Sequence, residues 1–345
     1  MIQRTTRPWG RTTDGTLVNA HTLSTSTGFS ITIADLGATV ISVLQPDGAG
    51  NTAEVSLPHG SVANIEAATS FLGSTIGRYA NRIANATFSL GDQTHHLVAN
   101  DSGNQLHGGP NGFHVQLWQP EVSDNAVTFH HTSPDGDQGF PGELTTSVTF
   151  ALYATDDGTA EVTTSFRAAT DAATVVNLTN HTYFNLSGFR QPVDDHLLQV
   201  NAQRVVAVDK LGLPIGPVPV ADTPFDFRTP ALLGERLSAD HDQIRQFGGL
   251  DHTFVLGAEP MRTVAESACL LSHPPSGRRL RVATTKPGVQ IYTGNVLHEP
   301  LGRHAGIALE TQYWPDSPNQ PSFPSCVLRP GETYAHTTTW HFDAS

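Results

Sequence analysis

Along most of this chain hydrophobic and polar residues alternate one by one in short runs, each closed by glycine, proline or aspartate. A period of two places alternate side chains on opposite faces of a strand. The runs cover residues 31–33, 40–44, 126–129, 144–152 and 160–166, then 279–283, 289–293, 307–311 and 334–342. Pro46-Asp47-Gly48 closes the second run, and Asp157-Gly158 reads as a hairpin turn between 144–152 and 160–166. Helical periodicity is confined to two short stretches, 61–68 and 230–237. The pattern predicts an all-β fold, a large antiparallel structure in two packed layers. No repeat, low-complexity tract or linker interrupts it, so residues 1–345 are expected to form a single domain.

One run differs in its chemistry. Residues 175–188 read VVNLTNHTYFNLSG, and as one extended strand they split into two rows. Val176, Leu178, Asn180, Thr182, Phe184 and Leu186 make a mostly apolar row. Val175, Asn177, Thr179, His181, Tyr183 and Asn185 make the other, which has amides, hydroxyls, a phenol and an imidazole but no formal charge. Such a row suits a neutral polyhydroxylated ligand, with His181 as a possible acid or base. It also suits an ordinary exposed strand face.

Composition narrows the function classes. With 38% hydrophobic and 15% charged residues the chain has ample core and lies far from the disordered class. A net charge of −13 with two lysines, Lys210 and Lys286, argues against nucleic acid and anionic membranes as partners. Two cysteines, Cys269 and Cys326, make neither a disulfide framework nor a zinc site and are expected as separate thiols. The N-terminal residues hold no signal-peptide core and no stretch has the length of a membrane span, so a cytoplasmic location is expected.

No nucleotide-binding glycine motif and no nucleophile elbow occurs, and the histidine pairs 95–96 and 130–131 point to opposite strand faces. No metal and no cofactor is therefore expected. Candidate polar residues sit instead in glycine- and aromatic-rich segments. These are GRYANRIANATF at 77–88, NQLHGGPNGF at 104–113, GLDHTFVL at 249–256, VQIYTGN at 289–295 and GIALETQYW at 306–314. Taken singly, each has a plain reading: arginines in surface ion pairs, His107 as a cap, Asp251 as a turn residue. Glu310 is the sharpest, because a carboxylate inside so apolar a strand needs a partner or a job.

In combination these segments resemble the aldose 1-epimerase family, from about Gly77 to near the C-terminus. The resemblance is carried by GRYANRI (77–83), NQLHGG (104–109), NLTNHTYFNLSG (177–188), LDHTF (250–254), QIYTGN (290–295) and ALETQYWPDSPNQPSFPS (308–325). It implies a large antiparallel β-sandwich, with Glu310 as catalytic base and His181 as catalytic acid. It also implies that Asn81, Arg82, His107, Asp251 and Gln290 bind the sugar, His107 close to the ring oxygen.

A cyclic aldose is a hemiacetal whose ring opens when the C1 hydroxyl loses a proton and the ring oxygen gains one. A carboxylate and an imidazolium suit those tasks, which require no metal or nucleotide. Loss of activity is expected when Glu310 is protonated or His181 is neutral. Tyr183, Phe184 or Tyr292 offers an aromatic wall to the sugar. The expected partner is a small monosaccharide, bound by a monomer or homodimer. Two rivals are a hexose-6-phosphate mutarotase, for which no basic cluster beyond Arg78 and Arg82 is visible, and a non-catalytic sugar-binding protein on the same scaffold.

Overall fold

The computed structural model describes residues 2–67, 70–155, 158–257, 267–298 and 301–344, and antiparallel strands dominate it. The largest sheet orders nine strands as Gln119–Val122, Ala126–Ser133, Leu144–Ala154, Ala160–Thr170, Tyr334–Ala344, Arg278–Thr284, Ser267–His273, Leu197–Val200 and Ala231–Leu232. A six-stranded sheet runs Tyr183–Phe184, Ile307–Gln312, Gly288–Tyr292, Asp251–Val255, Arg204–Val208, Pro214–Pro219. A five-stranded meander fills the N-terminal part, from Gln3–Arg11 to Thr52–Glu54.

The alternation read in the sequence is the reason these strands pack. In Ala160–Thr170 the side chains of Ala160, Val162, Thr164, Phe166 and Ala168 are buried, and those between them are not. The inward rows of all three sheets share one core. Ile31 and Val43 come from the meander, Val162, Phe166 and Trp340 from the nine-stranded sheet, and Val289, Ile291 and Leu309 from the six-stranded one. Across that core the Thr311 and Thr338 hydroxyls meet, so the two large sheets face each other as a sandwich. Burying each large apolar side chain contributes roughly 1.5–3 kcal/mol, which makes this shared layer the main source of stability. The far face of the six-stranded sheet is thereby left for other use.

Each alternating run coincides with a strand, usually a longer one; 126–129 extends to Ala126–Ser133. Leu144–Ala154 and Ala160–Thr170 pair along their whole length, as the hairpin reading requires, although Asp157 lies outside the described residues. Short helices span Val62–Ala67 and Leu233–Leu237, with Ala68 also outside the described residues. A third helix, Asp242–Phe247, was not legible in the periodicity. It is held by its ends: the His241 ring accepts the Gln243 N–H, and Gly248 takes a left-handed φ of 69°.

The reading of 175–188 as one strand does not hold. Thr174–Val175 pairs with Val327–Leu328, Thr179–Asn180 with Thr75–Ile76, and Tyr183–Phe184 with Ile307–Gln312. Residues 174–187 are all buried, on both rows. The amides of the polar row are consumed internally. Asn177 Nδ2 donates to Ala80 O at 3.1 Å, and Asn185 Nδ2 to Ala305 O at 2.8 Å. The segment is a tie between sheets and loops, and only part of it faces a ligand site.

Candidate active site

Strand register builds the floor of the site. Gln290 pairs with Glu310 and Thr253 with Gln290, while Asp251 pairs with Tyr292, and Ala308 with both Tyr292 and Tyr183. Directly paired residues point to the same face. One row across the sheet is thus Thr253, Gln290, Glu310, and the next is Asp251, Tyr292, Ala308, Tyr183. Leu309 and Thr311, on either side of Glu310, turn into the core, which leaves the Glu310 carboxyl on the outer face.

Loops close over that floor. Gln105–Leu106 pairs with Arg82–Ile83, and the His107 N–H donates to Asn81 O at 3.1 Å. Gly108 is where this joint is tightest, because a β-carbon there would lie 1.9 Å from the Gly77 carbonyl oxygen. Asn81, His107 and Phe71 take left-handed φ values of 66°, 54° and 54°, an uncommon conformation that clusters at functional sites. Between floor and loops lies a cleft of about 810 Å³, with Asn81, Arg82, His107, His181, Asp251 and Glu310 all on its wall.

Two groups at its base lack ordinary partners. His181 Nε2 stands 3.4 Å from Glu310 Oε1, and both residues are almost fully buried. Among the described residues Glu310 Oε2 and His181 Nδ1 have no hydrogen-bond partner. Burial raises the Glu310 carboxyl well above its ordinary value, helped by Asp251 and opposed by Arg82. Burial likewise lowers His181 to about 4. The buried setting therefore favours an uncharged pair, a carboxylic acid beside a neutral imidazole.

His107 is neutral for the same reason, held well below its usual value by burial and by the nearby His181. Its Nδ1 accepts the Asn81 N–H at 3.1 Å, so the ring proton resides on Nε2, and His107 offers the cleft a donor. Asp251 is raised by burial, and its Oδ1 accepts the Gln290 Nε2–H at 2.6 Å.

A family model described as aldose 1-epimerase matches residues 19–341. The chain is 41% identical over 326 residues to the galactose mutarotase of Homo sapiens, covering 91% of each. It is 40% identical over 345 residues to the aldose 1-epimerase of Escherichia coli K12, covering 96% of this chain and 97% of that one. The crystal structure of galactose 1-epimerase from Lactobacillus acidophilus superposes with a TM-score of 0.86 at 30% identity, over the full length of both chains. The chain belongs to the aldose 1-epimerase family.

Within that family frame the cleft gathers six of the seven expected residues on its wall. Gln290 stands behind them, its amide committed to Asp251 and to the Thr253 hydroxyl. Of the three aromatic candidates, Tyr183 and Tyr292 line the cleft, with ring centroids 5.9 Å apart. Phe184 does not; its ring packs into the core against Trp340 at 5.2 Å. Neither is Arg78 a surface residue. It is 2% exposed, and its guanidinium donates to Ser133, Pro134, Pro141 and Gly142, fastening the 133–142 loop.

Phe71 was missed. Its ring centroid lies 4.7 Å from His107 and 6.1 Å from His181, walling the two imidazoles. It follows no alternating run, so nothing in the sequence pattern marks it. Ligand atoms of His107, His181 and Glu310 lie within 4.8 Å of one another, the one such set among the described residues. His107 fits a cation cage poorly, because its free nitrogen carries the proton.

Proposed function

We propose that this enzyme interconverts the α and β anomers of free aldohexoses such as galactose and glucose. In this reading Glu310 is the base, His181 the acid, and Asn81, Arg82, His107 and Asp251 hold the sugar. Gln290 acts through Asp251, which it orients. The observation that supports it most is the buried, unpartnered Glu310 Oε2, next to a His181 ring 3.4 Å away at the base of a roomy cleft. Leaving a carboxyl oxygen buried and unsatisfied costs about 1–3 kcal/mol, so a partner arriving with the substrate explains it.

Ring opening moves one proton in and one out. Glu310 takes the proton of the C1 hydroxyl, the C1–ring oxygen bond breaks, and His181 protonates the ring oxygen. The pair enters as carboxylate and imidazolium and leaves as acid and neutral imidazole. Burial favours that second state, so the cleft stabilises the protonation pattern of the open-chain aldehyde. Rotation about C1–C2 presents the other face, and closure reverses both transfers. His107, a fixed neutral donor, adds a hydrogen bond to the ring oxygen without competing for the proton. The same reading treats the chain as one folded domain, supported by the shared core and by the family match across residues 19–341.

Glu310→Gln keeps the shape of the side chain and removes the base. Its rate of mutarotation with fresh α-D-galactose, followed by polarimetry, is expected to fall about a hundred- to ten-thousand-fold. A Glu310→Gln enzyme of native circular dichroism that matched the parent rate would remove Glu310 from the mechanism.

A further inference from the structure

Among the described residues of the cleft wall, Arg82 alone carries a guanidinium or ammonium group, and much of its charge is already matched. Its Nε–H donates to Asp101 Oδ2 at 2.7 Å, with the two side chains 16% and 27% exposed. Asp101 precedes the NQLHGG segment and belongs to no alternating run. Gly212 covers the guanidinium from another side, since a β-carbon there would stand 2.7 Å from Nη1 and 2.8 Å from Cζ. No hydrogen-bond partner within the described residues takes Nη1 or Nη2, so those nitrogens remain for a ligand. Arg82 also acts on Asp251 and Glu310, opposing the effect of burial on both carboxyls. Even with Glu310 protonated, two carboxylates, Asp101 and Asp251, face one guanidinium.

We propose that Asp101 sets the charge selectivity of this cleft, by fixing Arg82 through Nε and cancelling the positive charge that would draw an anionic sugar. Arg82 then serves as a directional donor to neutral hydroxyls. Uncharged aldoses are admitted; hexuronates and sugar phosphates are repelled by the remaining carboxylates. The inference rests on the mutarotase reading of the cleft and extends it to substrate class. It also accounts for the weakness of the sugar-phosphate rival, since an arginine held by one aspartate and flanked by another is a poor phosphate clamp.

Two substitutions separate charge from position. Asp101→Asn keeps an acceptor for the Arg82 Nε–H and removes the charge; Asp101→Ala removes both. KM and kcat are measured by polarimetry for D-galactose and D-galacturonate, and dissociation constants for both sugars by calorimetry. The parent is expected to prefer galactose, with a preference that shrinks as salt is added. Asp101→Asn is expected to narrow that preference about tenfold while changing the galactose KM by less than about threefold. Asp101→Ala is expected to raise the galactose KM about tenfold, with kcat changed much less. A parent without preference, or an Asp101→Asn variant with the parent's preference, overturns the proposal. A parent that fails to accelerate galactose mutarotation overturns the mutarotase reading instead, and the calorimetric ratio then decides the charge inference by itself.

Discussion

Burial decides where the Glu310–His181 pair keeps its proton. The sequence assigned it to His181, as an imidazolium beside a carboxylate. In the folded protein burial lifts Glu310 and drops His181 to about 4, so the resting pair holds one proton, and holds it on Glu310. Both assignments contain a single proton and are two forms of one state. The kcat/KM profile is therefore expected to be bell-shaped. Its acid limb appears where His181 gains a second proton, near pH 4, and its alkaline limb where Glu310 loses its own, above the ordinary carboxylate range. An acid limb at about pH 6.5, the ordinary histidine value, would show that His181 is not titrating as a buried group.

The same shift affects stability, with a definite sign. Unfolded, Glu310 ionises near 4.5, whereas folded it keeps its proton to higher pH. Its contribution is present below 4.5 and is lost as pH rises through the folded value, because unfolding then releases a proton. Glu310→Gln removes that loss. Its melting temperature is expected to exceed the parent's at pH 8, with the difference vanishing near pH 4. Equal melting curves at both pH values would mean that the carboxyl is solvated.

At the scale of elements, the segment that carries His181 shows what pattern reading reaches and what it does not. Asn177 was legible as a polar residue beside apolar ones, and its row as neutral. What escaped was that its amide Oδ1 accepts the Tyr313 N–H at 2.9 Å while Nδ2 reaches Ala80. It thereby joins the loop of Asn81 and Arg82 to the end of the strand of Glu310. Asn177→Ala is expected to cost about 1–3 kcal/mol in urea unfolding, with kcat falling as that joint loosens. An unchanged urea midpoint would leave the tie without energetic weight. The long strands were readable because each buries one face in the shared core and so must alternate. The three two-residue pairings of 174–184 are buried on both faces, and alternation carries no information there. Glu310 stood out because a charge broke an apolar run. Phe71 and Asp101 broke nothing, and only three-dimensional proximity to His107 and Arg82 reveals them.

At the scale of the whole molecule, the cleft is assembled from segments far apart in the chain. Asn81 and His107 arrive on loops, Arg82 on the short strand Arg82–Ile83, His181 on the tie between sheets, and Asp251 and Glu310 on non-adjacent strands of the six-stranded sheet. A sugar that touches them all finds its site only in the native state, because apart from the neighbours Asn81 and Arg82 the unfolded chain holds none of these groups together. Binding must then stabilise the fold by mass action, by about 2.7 kcal/mol at a hundredfold excess over the dissociation constant. Glu310→Gln should retain this gain, since the remaining contacts to the sugar survive and only the proton acceptor is gone. D-Galactose is thus expected to raise the melting temperature of both proteins while only the parent turns it over. If galactose shifted neither melting curve at concentrations that saturate turnover in the parent, turnover would be occurring somewhere other than this cleft.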